Sequence, residues 1–103
     1  MEVKSTYDLY VLIEQQKPGN YQKTICENMK NFRLQKYNEF KQKNKGVDNP
    51  YSVDSISEIL GISKVHYKRL ENKNDKSKCV NIEKLLILSI VYDKNIDDFF
   101  HIN

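Results

Sequence analysis

A short stretch of this chain concentrates positive charge on side chains that can contact a polyanion. Positions 64 to 78 hold six basic and two acidic residues, whereas the whole chain of 103 residues has a formal net charge of only +3. The basic residues are Lys64, Lys68, Arg69, Lys73, Lys76 and Lys78. Such a local cationic surface suits a nucleic acid. A solvated face without a ligand is the commoner meaning of a charge run, so charge alone leaves both interpretations open.

The elements that must position these charges are two short helices. The first helix ends at Gly61, which permits a tight reversal of the backbone, and the second begins after Ser63, a favourable N-cap residue. The apolar positions of the two helices are Ile56, Ile59 and Leu60, followed by Tyr67 and Leu70. Two helices joined by a short turn that contains glycine are typical of the helix-turn-helix motif, whose second helix meets DNA. An ordinary helical hairpin inside a bundle would show the same pattern.

The first element of the chain is ambiguous. Leu9, Leu12 and Ile13 have helical spacing, yet "YVLI" is also suitable for a strand. We interpret the segment as a short helix, with a strand as the alternative. Pro18 and Gly19 end it in either case, because neither residue continues a regular element well.

A long helix is predicted from Thr24 onward. Thr24 and Glu27 have the spacing of a capping box, and no helix-breaking residue occurs before Gly46. The apolar face of its first half is formed by Ile25, Met29 and Phe32. In "LQKYNEFKQKNK" the apolar stripe changes to Tyr37 and Phe40, which indicates a bend or a second packing surface. The turn residues of "KGVDNPY" then predict a loop.

The remaining helix starts are marked by polar N-cap residues. Ser52, or alternatively Ser55, precedes the helix that ends at Gly61. Asn81 precedes a strongly apolar helix, and Asn95 precedes a short terminal one. The fold class predicted from these patterns is all-α, with five or six helices.

Hydropathy and cysteine content bear on where the protein works. The longest apolar runs, "YVLI" and "LLILSIVY", fall short of the roughly 20 residues of a membrane span. The first residues show no secretory signal pattern. Cys26 and Cys79 are far apart in the sequence and belong to no metal-binding spacing, so reduced thiols are expected. We therefore expect a cytoplasmic protein.

No constellation of catalytic residues is visible. His66 and His101 are distant in sequence, and no nucleophile, base or nucleotide-binding glycine pattern accompanies them. Asp97 and Asp98 with His101 are imaginable as metal ligands, but a terminal helix with acidic residues in its first turn explains them better. We expect a protein that is not an enzyme and that has no metal and no cofactor.

The stretch "YSVDSISEILGISKVHYKRLEN" resembles the core of the Xre-type, phage repressor/Cro-like helix-turn-helix family. The residues at the family's characteristic positions are Ser52, Ile56, Ser57, Leu60, Gly61, Ile62, Ser63, Leu70, Glu71 and Asn72. In addition, "ICENMKNFR" resembles the family's first helix and "NIEKLLILSIVYDKNIDDFF" its last two. The resemblance extends from about residue 24 to residue 100. It implies a five-helix, lambda-repressor-like domain at 24–103, with an N-terminal extension at 1–23 and an insertion at about 37–50.

The same resemblance implies a sequence-specific DNA-binding regulator, most simply a repressor, with helix 63–72 in the major groove. The residues expected at the DNA are Ser52, Ser63, Lys64, Val65, His66, Lys68, Arg69, Asn72, Lys73, Lys76 and Lys78. Arg69 is suited to guanine, Val65 to a thymine methyl group, and Ser52 and Asn72 to phosphates. Family members often pair Arg33 and Glu71, so a structural salt bridge is expected there.

Three features depart from the family pattern. Val53 stands where glutamine is usual, Lys73 stands where glycine is common, and the insertion lengthens the first helix. We expect double-stranded DNA and a second copy of the chain as partners, with residues 1–23 or 37–45 available for the dimer or for another protein. The alternative is a protein-binding module on the same fold, an antitoxin or a phage-encoded inhibitor, with reduced or no DNA readout.

Overall fold

The computed structural model describes residues 2–75 and 79–101, and this part of the chain is all-α. It contains five α-helices, a terminal 3-10 helix and no strand. The helices are α1 (Thr6–Gln16), α2 (Gly19–Lys43), α3 (Val53–Leu60), α4 (Lys64–Leu70) and α5 (Ile82–Val91), followed by the 3-10 helix Ile96–Phe100. The ambiguous first element is therefore a helix, and the strand alternative is wrong. In neither described range is a helix both long and apolar enough to cross a bilayer.

The long helix starts five residues earlier than the sequence pattern predicted. Helix α2 begins at Gly19, and Thr24 lies inside it, where its hydroxyl donates to the carbonyl of Asn20 at 3.3 Å. Pro18 already has a helical φ of −59°, and proline is well tolerated at the start of a helix. The capping box at Thr24 is thus wrong, and the boundary drawn between residues 23 and 24 falls within a helix. The other end agrees, because α2 continues without a break to Lys43.

The predicted caps of the shorter helices are present. The hydroxyl of Ser52 accepts the backbone N–H of Ser55 at 3.1 Å, so Ser52 is the N-cap of α3 and Ser55 lies within the helix. The hydroxyl of Ser63 accepts the N–H of His66 at 3.0 Å. Between them Gly61 has a φ of +71°, a conformation that glycine adopts without strain. Local hydrogen bonds therefore determine where α3 ends and where α4 begins.

One hydrophobic core joins α2, α3, α4, α5 and the 3-10 helix. Its buried side chains are Met29, Phe32, Ile56, Leu60, Tyr67, Leu70, Leu85, Leu88, Tyr92 and Phe99. Ile59, which the pattern placed on the apolar face of α3, is 49% exposed. An eight-residue helix turns one narrow stripe to the core, and Ile56 and Leu60, four residues apart, occupy that stripe.

The loop that precedes α3 packs against the C-terminal turns of α2. The ring of Phe40 packs against the ring of Tyr51, with centroids 6.5 Å apart. The side chain of Asn49 donates to the carbonyl of Tyr37 at 2.9 Å and accepts the N–H of Tyr51 at 2.9 Å. The change of stripe at Tyr37 and Phe40 is thus a second packing surface on one continuous helix.

A buried asparagine attaches the end of the chain to α2. The side-chain amide of Asn28 donates to the carbonyls of Phe99 at 2.8 Å and His101 at 2.7 Å, and lies 3.3 Å from that of Asp98. Carbonyls at the end of a helix lack intrahelical partners, so a buried donor there satisfies them. Asn28 lies directly before Met29 of the core.

We expect Asn28→Ala to lower the free energy of unfolding by about 2 kcal/mol, because several buried carbonyls lose their donor. Urea denaturation followed by circular dichroism measures this. Asn31→Ala, an exposed position on the same helix, is the control and should change stability by less than about 0.5 kcal/mol. Equal effects of the two substitutions would contradict a specific role for the Asn28 amide.

Candidate nucleic-acid interface

Helix α4 turns its basic side chains away from the core. Tyr67 and Leu70 are buried on one side. On the other side Lys64, Val65, Lys68 and Arg69 are exposed, and His66 is half-buried. Residues 64, 65, 68 and 69 lie at spacings of one, three and four along a helix, so they share a single face. We refer to these four residues as the α4 edge.

Lys64 is held by a residue of the neighbouring helix. Its ammonium group lies 3.0 Å from a carboxylate oxygen of Asp54 in the first turn of α3, and both side chains are largely exposed. An exposed pair of this kind contributes little stability and exchanges readily. Asp54 therefore lowers the positive charge of the α4 edge, and a phosphate that binds Lys64 must compete with this carboxylate.

Lys73, just beyond α4, is paired as well. Its ammonium group lies 2.8 Å from a carboxylate oxygen of Glu27 on α2, and this hydrogen bond raises the pKa of Lys73. Asn72 is exposed, and its side-chain carbonyl accepts the N–H of Asn74 at 3.0 Å. Lys76 and Lys78 lie outside the described residues.

Under the α4 edge lies a buried ion pair that fixes α4 to α2. Arg33 donates to Glu71 from Nε at 2.8 Å and from Nη2 at 3.1 Å, a bidentate arrangement, and the two side chains are 10% and 8% exposed. Burial lowers the pKa of Arg33, but the hydrogen bond and charge of Glu71 outweigh burial and raise it. Arg33 also donates to the carbonyl of Tyr51 at 3.4 Å. The two residues that the resemblance paired are in direct contact.

Two tyrosines extend this polar cluster into the core. The hydroxyls of Tyr67 and Tyr92 are 2.9 Å apart, and both side chains are fully buried. Burial raises the pKa of both phenols, and the nearby Glu71 carboxylate raises them further. Both phenols are therefore neutral at neutral pH, and one hydroxyl donates a hydrogen bond to the other. The sequence pattern placed Tyr67 inward but gave no indication of its partner Tyr92, the residue directly after α5.

A polar groove of about 690 Å³ runs beside the C-terminal end of α4. Lys68 and Lys73 line it together with Lys30 and Asn31 of α2, two residues that sequence reasoning did not single out. Their position on a helix far upstream gives no sequence signal of this proximity. Val53 also lines the groove, half-buried against the core, so it brings no polar group to the start of α3.

The basic residues near the end of α2 lie beside the start of α3. Lys41 lines a second groove, of about 550 Å³, together with Ser52 and Asp54. Lys43 and Lys45 are exposed. The second groove has one basic residue, Lys41, against the carboxylates of Asp48 and Asp54. The groove at the end of α4 has four basic residues against the carboxylates of Glu27 and Glu71, so it is the more favourable of the two to phosphate.

The acidic residues near the C-terminus have structural partners. Asp98 accepts the N–H of Asn95 at 2.9 Å as half of a capping box, and Asp97 lies 2.9 Å from His101. The hydrogen bond that the His101 ring donates to the Asp97 carboxylate is the main cause of the raised pKa of His101. In the described ranges no three His, Cys, Asp or Glu residues are grouped so that they can hold a metal ion.

Comparison with known proteins finds no relative: no family model, no curated protein and no solved structure matches this chain.

Proposed function

We propose that this protein is a sequence-specific DNA-binding regulator of the Xre type, a cytoplasmic repressor that acts as a dimer and performs no catalysis. In this proposal α3 and α4 form the helix-turn-helix of a lambda-repressor-like domain. The segment 63–72, which contains helix α4, lies in the major groove. The single observation that carries the proposal is the α4 edge, which is cationic and exposed while Tyr67 and Leu70 anchor the opposite side of the helix.

Each part of the α4 edge has a distinct task at the DNA. The planar guanidinium of Arg69 can donate two hydrogen bonds to guanine O6 and N7, and the methyl groups of Val65 can pack on a thymine methyl. Lys64, at the start of the helix, reaches a base edge or a phosphate. The proposal assigns Ser52, Ser63, His66 and Asn72 to the phosphate backbone, where contacts fix the register without reading the sequence.

The buried ion pair supports this arrangement because it holds the reading helix at a fixed angle. Arg33 and Glu71 join α2 to the end of α4 with two hydrogen bonds. Recognition of base edges requires that side chains be placed within about half an ångström of their productive position, which rigid supporting contacts achieve. The core contacts of Tyr67 serve the same purpose.

Titration of the protein with DNA from upstream of its own coding sequence tests the proposal. Fluorescence anisotropy at several salt concentrations should give an affinity that falls steeply as salt rises, because bound phosphates release counterions. Lys64→Ala should weaken binding to this DNA and to unrelated DNA alike, and should reduce the salt slope by about one unit. Lys36→Ala on α2, outside both grooves, carries the same charge change as the control and should leave the slope unchanged.

A second candidate is a protein-binding module on the same fold, such as an antitoxin or a phage-encoded inhibitor. Two observations favour it: Val53 offers no polar group at the start of α3, and α1 carries exposed apolar side chains without a buried one. A module that has lost DNA readout would show no salt-dependent affinity for DNA, and Lys64→Ala would have no effect. The titration above therefore separates the two candidates.

A further inference from the structure

The groove at the end of α4 contains cations that the protein itself does not neutralise. Four basic and two acidic residues line it, so its formal net charge is +2. The buried ion pair under the α4 edge accounts for one residue of each sign, and Lys73 is paired with Glu27. Within residues 2–75 and 79–101, Lys30 and Lys68 form no ion pair, and both are exposed. The excess charge is therefore open to an anion from outside.

The wall that α2 contributes to this groove is a single helical face. Glu27, Lys30 and Asn31 lie at spacings of three and four residues, and all three are exposed. Asn31 adds an amide group that can donate a hydrogen bond to a phosphate oxygen. Val53 lines the groove from α3 without a polar side chain, so the donors beside it belong to α2 and to the end of α4.

The groove is continuous with the α4 edge, because Lys68 belongs to both. Helix α4 has seven residues. At a rise of about 1.5 Å per residue it is roughly 10 Å long. The major groove of DNA is about 12 Å wide, and a phosphate backbone borders it on each side. A helix of this length that crosses the major groove has each end close to one of these backbones, and the Lys30 wall stands at the C-terminal end of α4.

We propose that this groove binds the phosphate backbone of duplex DNA beside the base pairs that α4 reads. Lys30 and Lys68 supply the cations, and Asn31 supplies a neutral donor. The inference rests on the proposed function and extends its DNA interface to α2, outside the helix-turn-helix. A phosphodiester is negatively charged and its oxygens only accept hydrogen bonds, so ammonium and amide donors suit it. Such a contact adds affinity and fixes the register without reading the sequence.

Glu27 controls how readily Lys73 joins this contact. In the free protein the Glu27 carboxylate lies 2.8 Å from the Lys73 ammonium group, and the two side chains are 51% and 53% exposed. An exposed pair exchanges readily, so a DNA phosphate can replace the carboxylate at Lys73. The carboxylate then remains unpaired near the phosphate and repels it. Glu27 therefore lowers the affinity for DNA of any sequence.

Fluorescence anisotropy with the upstream fragment and with an unrelated duplex, at several salt concentrations, tests the inference. Lys30→Ala should weaken binding to both duplexes equally, by about 3- to 10-fold at about 0.1 M salt, and should reduce the salt slope by about one unit. The preference between the duplexes should not change, because a backbone contact carries no sequence information. Lys36→Ala, the same charge change on the same helix but outside the groove, is the matched control and should change neither quantity.

Glu27→Gln should have the opposite effect. It should raise the affinity for both duplexes by about 3- to 10-fold at the same salt, because Lys73 is released and the repelling carboxylate is gone. Glu27 and Lys30 are exposed, so both variants should keep the circular dichroism spectrum and the unfolding midpoint of the unaltered protein. A loss of folding would weaken binding in both variants, whereas the inference requires opposite signs. A Glu27→Gln variant that binds more weakly would contradict it.

Three further results would overturn the inference: Lys30→Ala binds like the unaltered protein, Lys36→Ala weakens binding as much as Lys30→Ala, or Lys30→Ala lowers only the preference for the upstream fragment. If Lys64→Ala and Arg69→Ala still weaken binding in those cases, the proposed function stands and the α2 contact alone fails. Salt-dependent binding that requires Lys30 but neither Lys64 nor Arg69 would support the groove and contradict α4 as the reading helix. A protein without affinity for either duplex would refute both proposals.

Discussion

Replacing Glu71 with glutamine is expected to lower the free energy of unfolding by about 3–5 kcal/mol, because the buried guanidinium of Arg33 then lacks its counterion. The pair is bidentate and about nine-tenths buried, so solvent cannot replace the carboxylate. Glu71 also lies beside the buried phenol of Tyr67. Its loss therefore disturbs the contact between α2 and α4 and the polar cluster that continues to α5. Urea denaturation at neutral pH measures the change.

The chain contains a matched control for this experiment. Glu27 forms a salt bridge of the same length with Lys73, but both side chains of that pair are about half exposed. Glu27→Gln should therefore change stability by no more than about 1 kcal/mol. Replacing both partners, as in Arg33→Met with Glu71→Leu, should recover most of the loss, since no unpaired charge remains buried. A Glu71→Gln variant as stable as the Glu27→Gln variant would refute the structural role of the pair.

Arg69→Ala is expected to reduce the preference for specific over unrelated DNA by about 10- to 100-fold, the equivalent of one bidentate contact to guanine. Arg69 is exposed on the α4 edge, two residues beyond the buried Tyr67, so its removal should not alter the core. The affinity for unrelated DNA should fall only by the contribution of one cationic side chain to phosphate attraction. Competition titrations with the upstream fragment and with an unrelated duplex give both quantities.

Arg69→Lys distinguishes base reading from simple attraction of charge. Lysine keeps the cation but lacks the planar fork of the guanidinium, so it should restore the affinity for unrelated DNA and only part of the preference. Lys64→Ala should instead weaken binding to both duplexes about equally if Lys64 binds phosphate. A variant of Arg69 that loses affinity without losing preference would show that this residue contacts only the backbone.

Much of the local structure follows from short-range chemistry that is visible in the sequence. Ser52, Ser63 and Asn81 cap the helices that they were predicted to cap, because a short polar side chain that accepts an N–H three residues on needs no other element. Gly61 ends α3 in a left-handed conformation for equally local reasons. The exception is the start of α2, where Pro18 begins a helix instead of only ending one.

The sequence alone thus determined the all-α class, the turn between α3 and α4, the basic composition of α4 and its inward residues. The tertiary structure decided which groups meet across elements. The partners of Asn28, Lys64, Lys73 and Tyr67 lie on other helices or in a remote turn, at sequence separations that no local periodicity encodes. The side of α1 left without cover is likewise a property of packing. Hydrogen bonds within a turn are specified by neighbouring residues, whereas contacts between helices depend on how the whole core closes.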